Sequence, residues 1–298
     1  MNKTYIIYHQ VKIGVNCPDG LAGAWVANQY LRDTAGVPPE HIDILGWVYQ
    51  TPPPDFFLPN DHVIVVDFSF PSHVIQEWLD KGVTFEVLDH HKTAEEELKK
   101  FYVGSLKSVV EAKGSKVLFD MNQCGATLAW KHFFPDEPMP VFLEFVRDRD
   151  LWRYEFPETR SVHEAMAAIG RTFQFFDELA PLTRGELLAK LLPIGNPLLE
   201  RKRQKCLAAV ARAKISELAG HEIPIIDLLP EEERLVSDIC QIMYEEAFPE
   251  APFVACRREC GKYDLRSDNK KKESVDVGAI ARQFGGGGHF HAAGFDLK

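Results

Sequence analysis

The sequence has no Cys-x2-Cys pair. Its six cysteines, Cys17, Cys124, Cys206, Cys240, Cys256 and Cys260, are scattered over 298 residues. The closest two, in CRREC (256–260), are separated by three residues and have no second pair or histidine cluster to complete a zinc site. They read as reduced thiols in or near a strand. No apolar run approaches the roughly 18–20 residues that cross a bilayer. The N-terminal MNKTYIIYHQVKIGV lacks both a long apolar core and an A-x-A-like cleavage site. These absences point to a cytoplasmic chain with no membrane partner. Net positive charge is missing too, since 34 Lys and Arg stand against 44 Asp and Glu, a net charge of −10. The dense basic runs are RKRQK (201–205) and NKKK (269–272), each read as a solvated face or loop. Long duplex DNA is therefore not an expected partner. An acidic enzyme can still handle small phosphorylated substrates when metal ions supply local positive charge. No internal repeat or low-complexity tract is present.

What is present alternates between two periods. Short apolar runs, TYIIYH, IDILGWVY, HVIVVDF, TFEVLD and KVLFDM, are separated by helical stretches such as LAGAWVANQYLRD, SHVIQEWLDKG, EEELKKFY and GATLAWKHFF. That pattern predicts a parallel α/β sheet covered on both faces. Residues 139–220 read as mostly helical, ending in PLLERKRQKCLAAVARAKISELAG, which shows no break before Gly220. From His221 the pattern is mixed again: EIPIID, LVSDICQIMYEEAF, PFVACRRE, KYDLRS, VDVGAIARQF and GGGGHFHAAGFDL. The expected fold class is α/β, with a parallel-sheet N-terminal domain over 1–170, a helical connector over 171–220 and a smaller mixed α/β domain over 221–298.

Ligands of open α/β sheets bind beyond the carboxyl ends of the strands, so the residues at those ends are informative. One strand ends at Asp67 in VIVVDFS, and the next at Asp89-His90-His91 in FEVLDHHKT. The first strand ends at His9, and Asp19 lies in NCPDG just beyond. FVRDRDLW adds Asp148 and Asp150. A lone Asp at a strand end is more often a turn former or helix cap. Carboxylates and imidazoles converging from several elements are a different matter. Converging carboxylates repel one another, and a divalent cation resolves the repulsion. Mixed oxygen and nitrogen donors suit Mn²⁺, Fe²⁺, Co²⁺ or Zn²⁺ better than Ca²⁺. Near the C-terminus, VGAIARQF runs into four glycines (285–288) and His289. One glycine would end a helix; four followed by histidine favour a backbone nest that binds an anion. Arg266 in DLRSD could pair with a phosphate. His163, Trp25, Trp47 and Trp78 read as packing residues.

These segments resemble the DHH phosphoesterase superfamily, which includes RecJ-type nucleases and nanoRNases. NCPDGLAGAW, VVDFS, LDHHKT and RDRDLW match its four N-terminal motifs. The run from DLRS to GGGGHFHAAGF matches its DHH-associated C-terminal domain. The resemblance implies that Asp67 bridges two metals, with Asp19 on one and His90 and Asp148 on the other. It gives His91 the substrate phosphate and Asp89 the orientation of the histidines. It makes Asp89, His90 and His91 catalytic, and Gly286, Gly287, Gly288, His289 and Arg266 substrate-binding. Asp148 and Asp150 compete for one ligand place, and Asp148 is preferred. Where the family often has a histidine before the first Asp, this chain has Val15; His9 would serve if 10–15 loop out. Leu21 stands where many members have a second Asp.

The implied activity is metal-dependent hydrolysis, with Mn²⁺, or Mg²⁺ or Co²⁺, as one or two ions. The expected substrate is a short single-stranded oligonucleotide or small phosphorylated nucleotide, cleaved to nucleoside 5′-monophosphates, by a protein that could form a homodimer. Within the same chemistry, 3′-phosphoadenosine 5′-phosphate, linear or cyclic dinucleotides and polyphosphate are alternatives. From another class, the rival is a non-enzymatic nucleotide- or partner-binding protein with a degenerate site.

Overall fold

The computed structural model describes residues 2–49, 51–268, 270–271 and 273–296. Asn269 and Lys272 of the NKKK run lie outside the described residues. The chain divides into two compact units, Met1–Asn196 and Pro197–Lys298.

In the first unit the strands are β1 (Thr4–Lys12), β2 (Val15–Asn16), β3 (Ile42–Trp47), β4 (His62–Val66), β5 (Thr84–Asp89) and β6 (Lys116–Phe119). Its helices include α1 (Pro18–Gln29), α2 (Ser72–Lys81), α3 (Lys92–Leu98), α4 (Ser105–Ala112), α5 (Gly125–Phe133), α6 (Val141–Asp150), α7 (Thr159–Ile169) and α8 (Phe173–Leu179), and the boundary at 196/197 falls within α9 (Arg184–Val210). Strands β3, β1, β4, β5 and β6 lie side by side in that order, and all of these pairings are parallel. Successive side chains of a strand face opposite ways, and both faces here are apolar. Ile6, Ile64, Val66 and Leu88 join a core with α1, α5 and α6. Tyr5, Ile7, Val63, Val65, Phe85 and Val87 join another that includes Val74 and Trp78 of α2 and Leu98 of α3. The expected doubly covered parallel sheet is what forms. Its strand order turns back on itself at β1, since β3 flanks one side and β4 the other. The β1/β4 seam is therefore the topological switch point where such sheets bind ligands.

The second unit has strands β7 (Lys214–Leu218), β8 (His221–Asp227), β9 (Val254–Arg257), β10 (Lys262–Arg266), β11 (Gly287–His289) and β12 (Ala292–Asp296), with helices α10 (Val236–Ile242) and α11 (Val277–Gln283). Its sheet runs β11-β12-β10-β9-β8-β7, with β8 and β9 parallel and the other pairs antiparallel.

Several boundaries differ from expectation. The helix expected to continue to Gly220 ends at Val210, and KISEL is strand β7. Ala219 and Gly220 both have positive φ (53° and 78°), the requirement of a two-residue hairpin turn. β7 therefore folds back on β8. Residues 171–220 do not form a separate connector. Phe175, Phe176, Leu179, Leu187 and Leu191 pack in the first unit's core, whereas Cys206, Ala209 and Val210 pack in the second's. The helical stretch over 162–179 breaks at Gly170, φ 98°, into α7 and α8. All six cysteines are free. No helix among the described residues is long and apolar enough to cross a membrane.

A polar cluster lies on this sheet away from the strand tips. Glu86 of β5 meets His132 of α5, and its other oxygen lies 3.4 Å from His62 Nε2 of β4. Burial alone would raise the Glu86 carboxyl, but its bonds to the two imidazoles win and bring it down from 4.5 to about 2. A depressed folded-state value contributes stability above pH 4.5 that is lost as pH falls toward 2. Glu86→Gln should cost about 1.5–3 kcal/mol at pH 7. The gap from wild type should narrow as denaturation is followed from pH 5 down to pH 3.

Candidate metal centre

Local structure brings four separate segments to the β1/β4 seam. His9 is not the last residue of β1. The strand continues to Lys12, turns at Gly14 and returns as β2, with Gln10 opposite Asn16. Asn16 Oδ1 accepts hydrogen bonds from Tyr8 Oη (2.9 Å) and Gln10 Nε2 (2.7 Å), closing the base of this hairpin. Residues 10–16 thus loop out, and His9 Nδ1 lies 3.4 Å from Asp67 Oδ2. Val15 is exposed on the hairpin and Leu21 is buried in the core.

Asp67 follows β4 with φ 57°, a left-handed conformation that Asp tolerates better than most residues but that is uncommon at a strand end. Its N–H donates to Leu88 O at 3.0 Å, tying it to β5. Its carboxylate is 2% exposed. His90 Nε2 lies 3.2 Å from Asp67 Oδ1, 3.8 Å from Asp19 Oδ2 and 3.4 Å from Asp150 Oδ2. Asp19, in the first turn of α1, accepts from the N–H groups of Gly125 (2.6 Å) and Ala126 (2.8 Å), so it also pins the start of α5. A Cβ on Gly125 would stand 2.6 Å from Asp67 Cβ and 3.0 Å from Asp19 Oδ2; only glycine lets that helix approach so closely.

Asp89 plays a separate part. It is fully buried, and its Oδ1 accepts from His90 N (2.7 Å) and His91 Nδ1 (2.7 Å). Ser69 Oγ donates to its Oδ2 at 2.6 Å. Asp89 thus holds the His91 ring through Nδ1 and the His90 backbone through its N–H. Because Nδ1–H is donated to Asp89, the Nε2 of half-exposed His91 is left available.

Asp148 departs from its expected place. Its carboxylate accepts from the N–H groups of Glu155 (2.8 Å) and Phe156 (3.2 Å) and from the Thr159 hydroxyl. It organises the loop between α6 and α7, and Asp150 is the acid beside His90. Of the two acids that compete for the ligand place, Asp148 is engaged by its own loop and Asp150 lies 3.4 Å from His90. Cys17, which sequence reasoning left among the scattered thiols, lies in a cluster with His9 and Asp67. Its position at the start of α1, two residues before Asp19, was the available signal.

In the second unit, Arg266 Nη1 donates to Leu265 O, and His289 is exposed in β11. Gly287 and Gly288 also lie in β11. Gly286 has a packing reason of its own, because a Cβ there would meet Gly294 O at 2.2 Å. His163 is buried with Nε2 bonded to Phe145 O, and Trp25 and Trp78 are core residues, as expected.

The charges around His90 are unbalanced. Burial, then repulsion from Asp67 and Asp150, raises the Asp19 carboxyl. Burial and Asp67 raise Asp150 to about 6. Burial opposes the charged form of Asp67 too, yet the His9 and His90 imidazoles hold it low. His90 is pushed the other way: burial lowers it, but the Asp67 bond and the nearby Asp19 and Asp150 carry it up to about 9. His90 is thus held toward its charged form by the same acids that repel one another. The donor set fits a divalent ion on three counts. Asp67 Oδ2 is buried without a hydrogen-bond partner. The candidate ligand atoms of Asp19, His90 and Asp150, and of His9, Cys17 and Asp67, lie within 4.8 Å of one another in each group. The mixture of carboxylate and imidazole is one that Mn²⁺-type ions accept.

The fold is DHH-type. Two solved structures align with nearly the whole chain. The DHH domain of a protein from a family of ribosomal proteins aligns with a TM-score of 0.58, 14% identity, and 98% and 82% of the two chains. A pGpG-specific phosphodiesterase from Vibrio cholerae, PggH, aligns with a TM-score of 0.53, 14% identity, and 99% and 93%. In sequence, the uncharacterized protein R106 of Acanthamoeba polyphaga mimivirus is 28% identical over 301 residues. The match takes in 97% of this chain, which spans 66% of the length of that relative. No family model matches the chain.

The two acids of RDRD should separate experimentally. Asp148→Asn should lower stability by about 2–3 kcal/mol, read by denaturant unfolding. Asp150→Asn should unfold with wild type but bind Mn²⁺ at least about tenfold more weakly by calorimetry. The reverse pattern would return the ligand place to Asp148.

Proposed function

We propose that this chain is a metal-dependent phosphoesterase that cleaves phosphodiester bonds of short oligonucleotides to nucleoside 5′-monophosphates. One observation carries the reading: Asp19, Asp67 and Asp150 are gathered around His90 at the switch point of a DHH-type sheet, and the buried Asp67 Oδ2 makes no hydrogen bond, with His9 Nδ1 3.4 Å away. Asp67, Asp19, His90, Asp150 and His9 would hold one or two divalent ions, Mn²⁺ first, with Mg²⁺ and Co²⁺ as alternatives. Such an ion supplies Lewis acidity toward a phosphoryl oxygen and lowers the pKa of a water.

The chain's own groups do the positioning. Asp89 holds the His91 ring so that Nε2 points away from that bond and can donate to a substrate phosphoryl oxygen. Ser69 holds Asp89 in turn. Asp67, kept charged by the imidazoles, anchors the cluster between β4 and β5. Arg266, Gly286, Gly287, Gly288 and His289 of the second unit are the proposed phosphate-binding group there, on the strength of their sequence pattern. The Vibrio protein, named for its action on a linear dinucleotide, is compatible with such a substrate, although a 14% identity speaks for fold alone.

The test is mononucleotide release from a 5′-phosphorylated RNA dinucleotide with added Mn²⁺. Wild type should release product, and Asp67→Asn should lose about 10²–10³-fold or more in kcat with circular dichroism unchanged. If wild type cleaves neither dinucleotides, 3′-phosphoadenosine 5′-phosphate nor polyphosphate with Mn²⁺, Mg²⁺ or Co²⁺, the non-enzymatic nucleotide-binding reading replaces this one.

A further inference from the structure

Tyr49 has no part in the chemistry described so far, yet its ring stands beside the reacting groups. β3 runs parallel to β1 with Trp47 opposite His9. The segment leaving β3 therefore rises at the same edge as His9, and Tyr49 is two residues beyond that pair. Its ring lies 4.4 Å from the Phe68 ring, 5.2 Å from His9 and 6.2 Å from His91, centre to centre. Phe68 is buried behind it. Three neighbours thus hold the ring, and still 41% of the residue is exposed. A tyrosine placed only for packing would gain by fuller burial.

The phenol is suited to a site that receives anions. A phenol is uncharged near neutral pH, so it does not repel a phosphate. The spacing from the His91 ring is on the scale that separates a nucleotide's phosphate from a base. Every nucleobase offers a π-face, so a held aromatic ring binds bases with little regard to sequence. Inorganic pyrophosphate and polyphosphate offer nothing to stack.

We propose that Tyr49 is a specificity-determining stacking platform, held by Phe68 and His9, that receives a nucleobase while the adjoining phosphate sits at His91. This rests on the phosphoesterase reading and narrows it to substrates that carry an aromatic base.

The experiment compares three substrates: the 5′-phosphorylated RNA dinucleotide and its two analogues that each lack one base. The readout is the ratio of kcat/KM for the full dinucleotide to that for each abasic analogue, with Mn²⁺. For one of the two analogues, Tyr49→Leu should reduce this ratio about 10–100-fold, mainly through KM, and Tyr49→Phe should restore most of it. A second readout needs no turnover: calorimetric binding of adenosine 5′-monophosphate against ribose 5-phosphate. Wild type should prefer the nucleotide, and Tyr49→Leu should lose that preference. Equal losses on full and abasic substrates, or an unchanged binding preference, would overturn the proposal and leave Tyr49 as packing. If wild type cleaves nothing but still prefers the nucleotide through Tyr49, the hydrolase reading fails while the stacking platform stands.

Discussion

The structure turns on a carboxylate that is almost entirely out of water and still charged. Asp67 is enclosed by its own sheet, and a buried ionised carboxylate is costly unless opposite charge or hydrogen bonds compensate. His9 and His90 provide that compensation from the two neighbouring strands. Each is where it is because β1, β4 and β5 run parallel and adjacent, which places three strand tips within one side-chain length of each other. Reversing or inserting a strand between them would leave Asp67 unpaired. The fold order and the site therefore depend on the same seam.

Around that seam the acids divide into those that bind the protein and those left over. Asp89 and Asp148 spend their oxygens on backbone N–H groups, hydroxyls and an imidazole. They are buried and satisfied. Asp19 bonds two N–H groups of α5 and still faces His90. Asp150 and Asp67 Oδ2 face imidazoles at 3.4 Å, His90 and His9, in place of the short backbone and hydroxyl bonds that satisfy the others, and repulsion collects there. An electrostatic imbalance of this kind would ordinarily destabilise a fold. It is concentrated at one sheet edge, where a divalent cation would relieve it.

Much of this was legible along the chain. The five parallel strands announce themselves as short β-branched runs, and Asp67, Asp89, His90 and His91 lie at the ends of two of them. The place of Asp150 was not legible. Two acids two positions apart on a helix point about 200° away from each other, so one faces the sheet edge and the other its own loop. Nothing in RDRD says which. The helix end at Val210 was hidden for a related reason. KISEL carries enough charge to continue an amphipathic helix, and only its pairing with β8 across Ala219-Gly220 makes it a strand. Tyr49 was hidden as well: the expected strand IDILGWVY takes it in as one more strand residue, whereas β3 ends at Trp47 and Tyr49 lies beyond it.

Residue type and order along this chain were enough to specify a covered parallel sheet, because apolar alternation and strand-end polarity are local properties. They were also enough to say that acids and imidazoles end the strands. Which of those groups meet, which are consumed by backbone donors, and which aromatic ring stands over the result depend on strand neighbours and helix faces. Those are contacts between residues far apart in sequence, and they exist only once the sheet has closed around them.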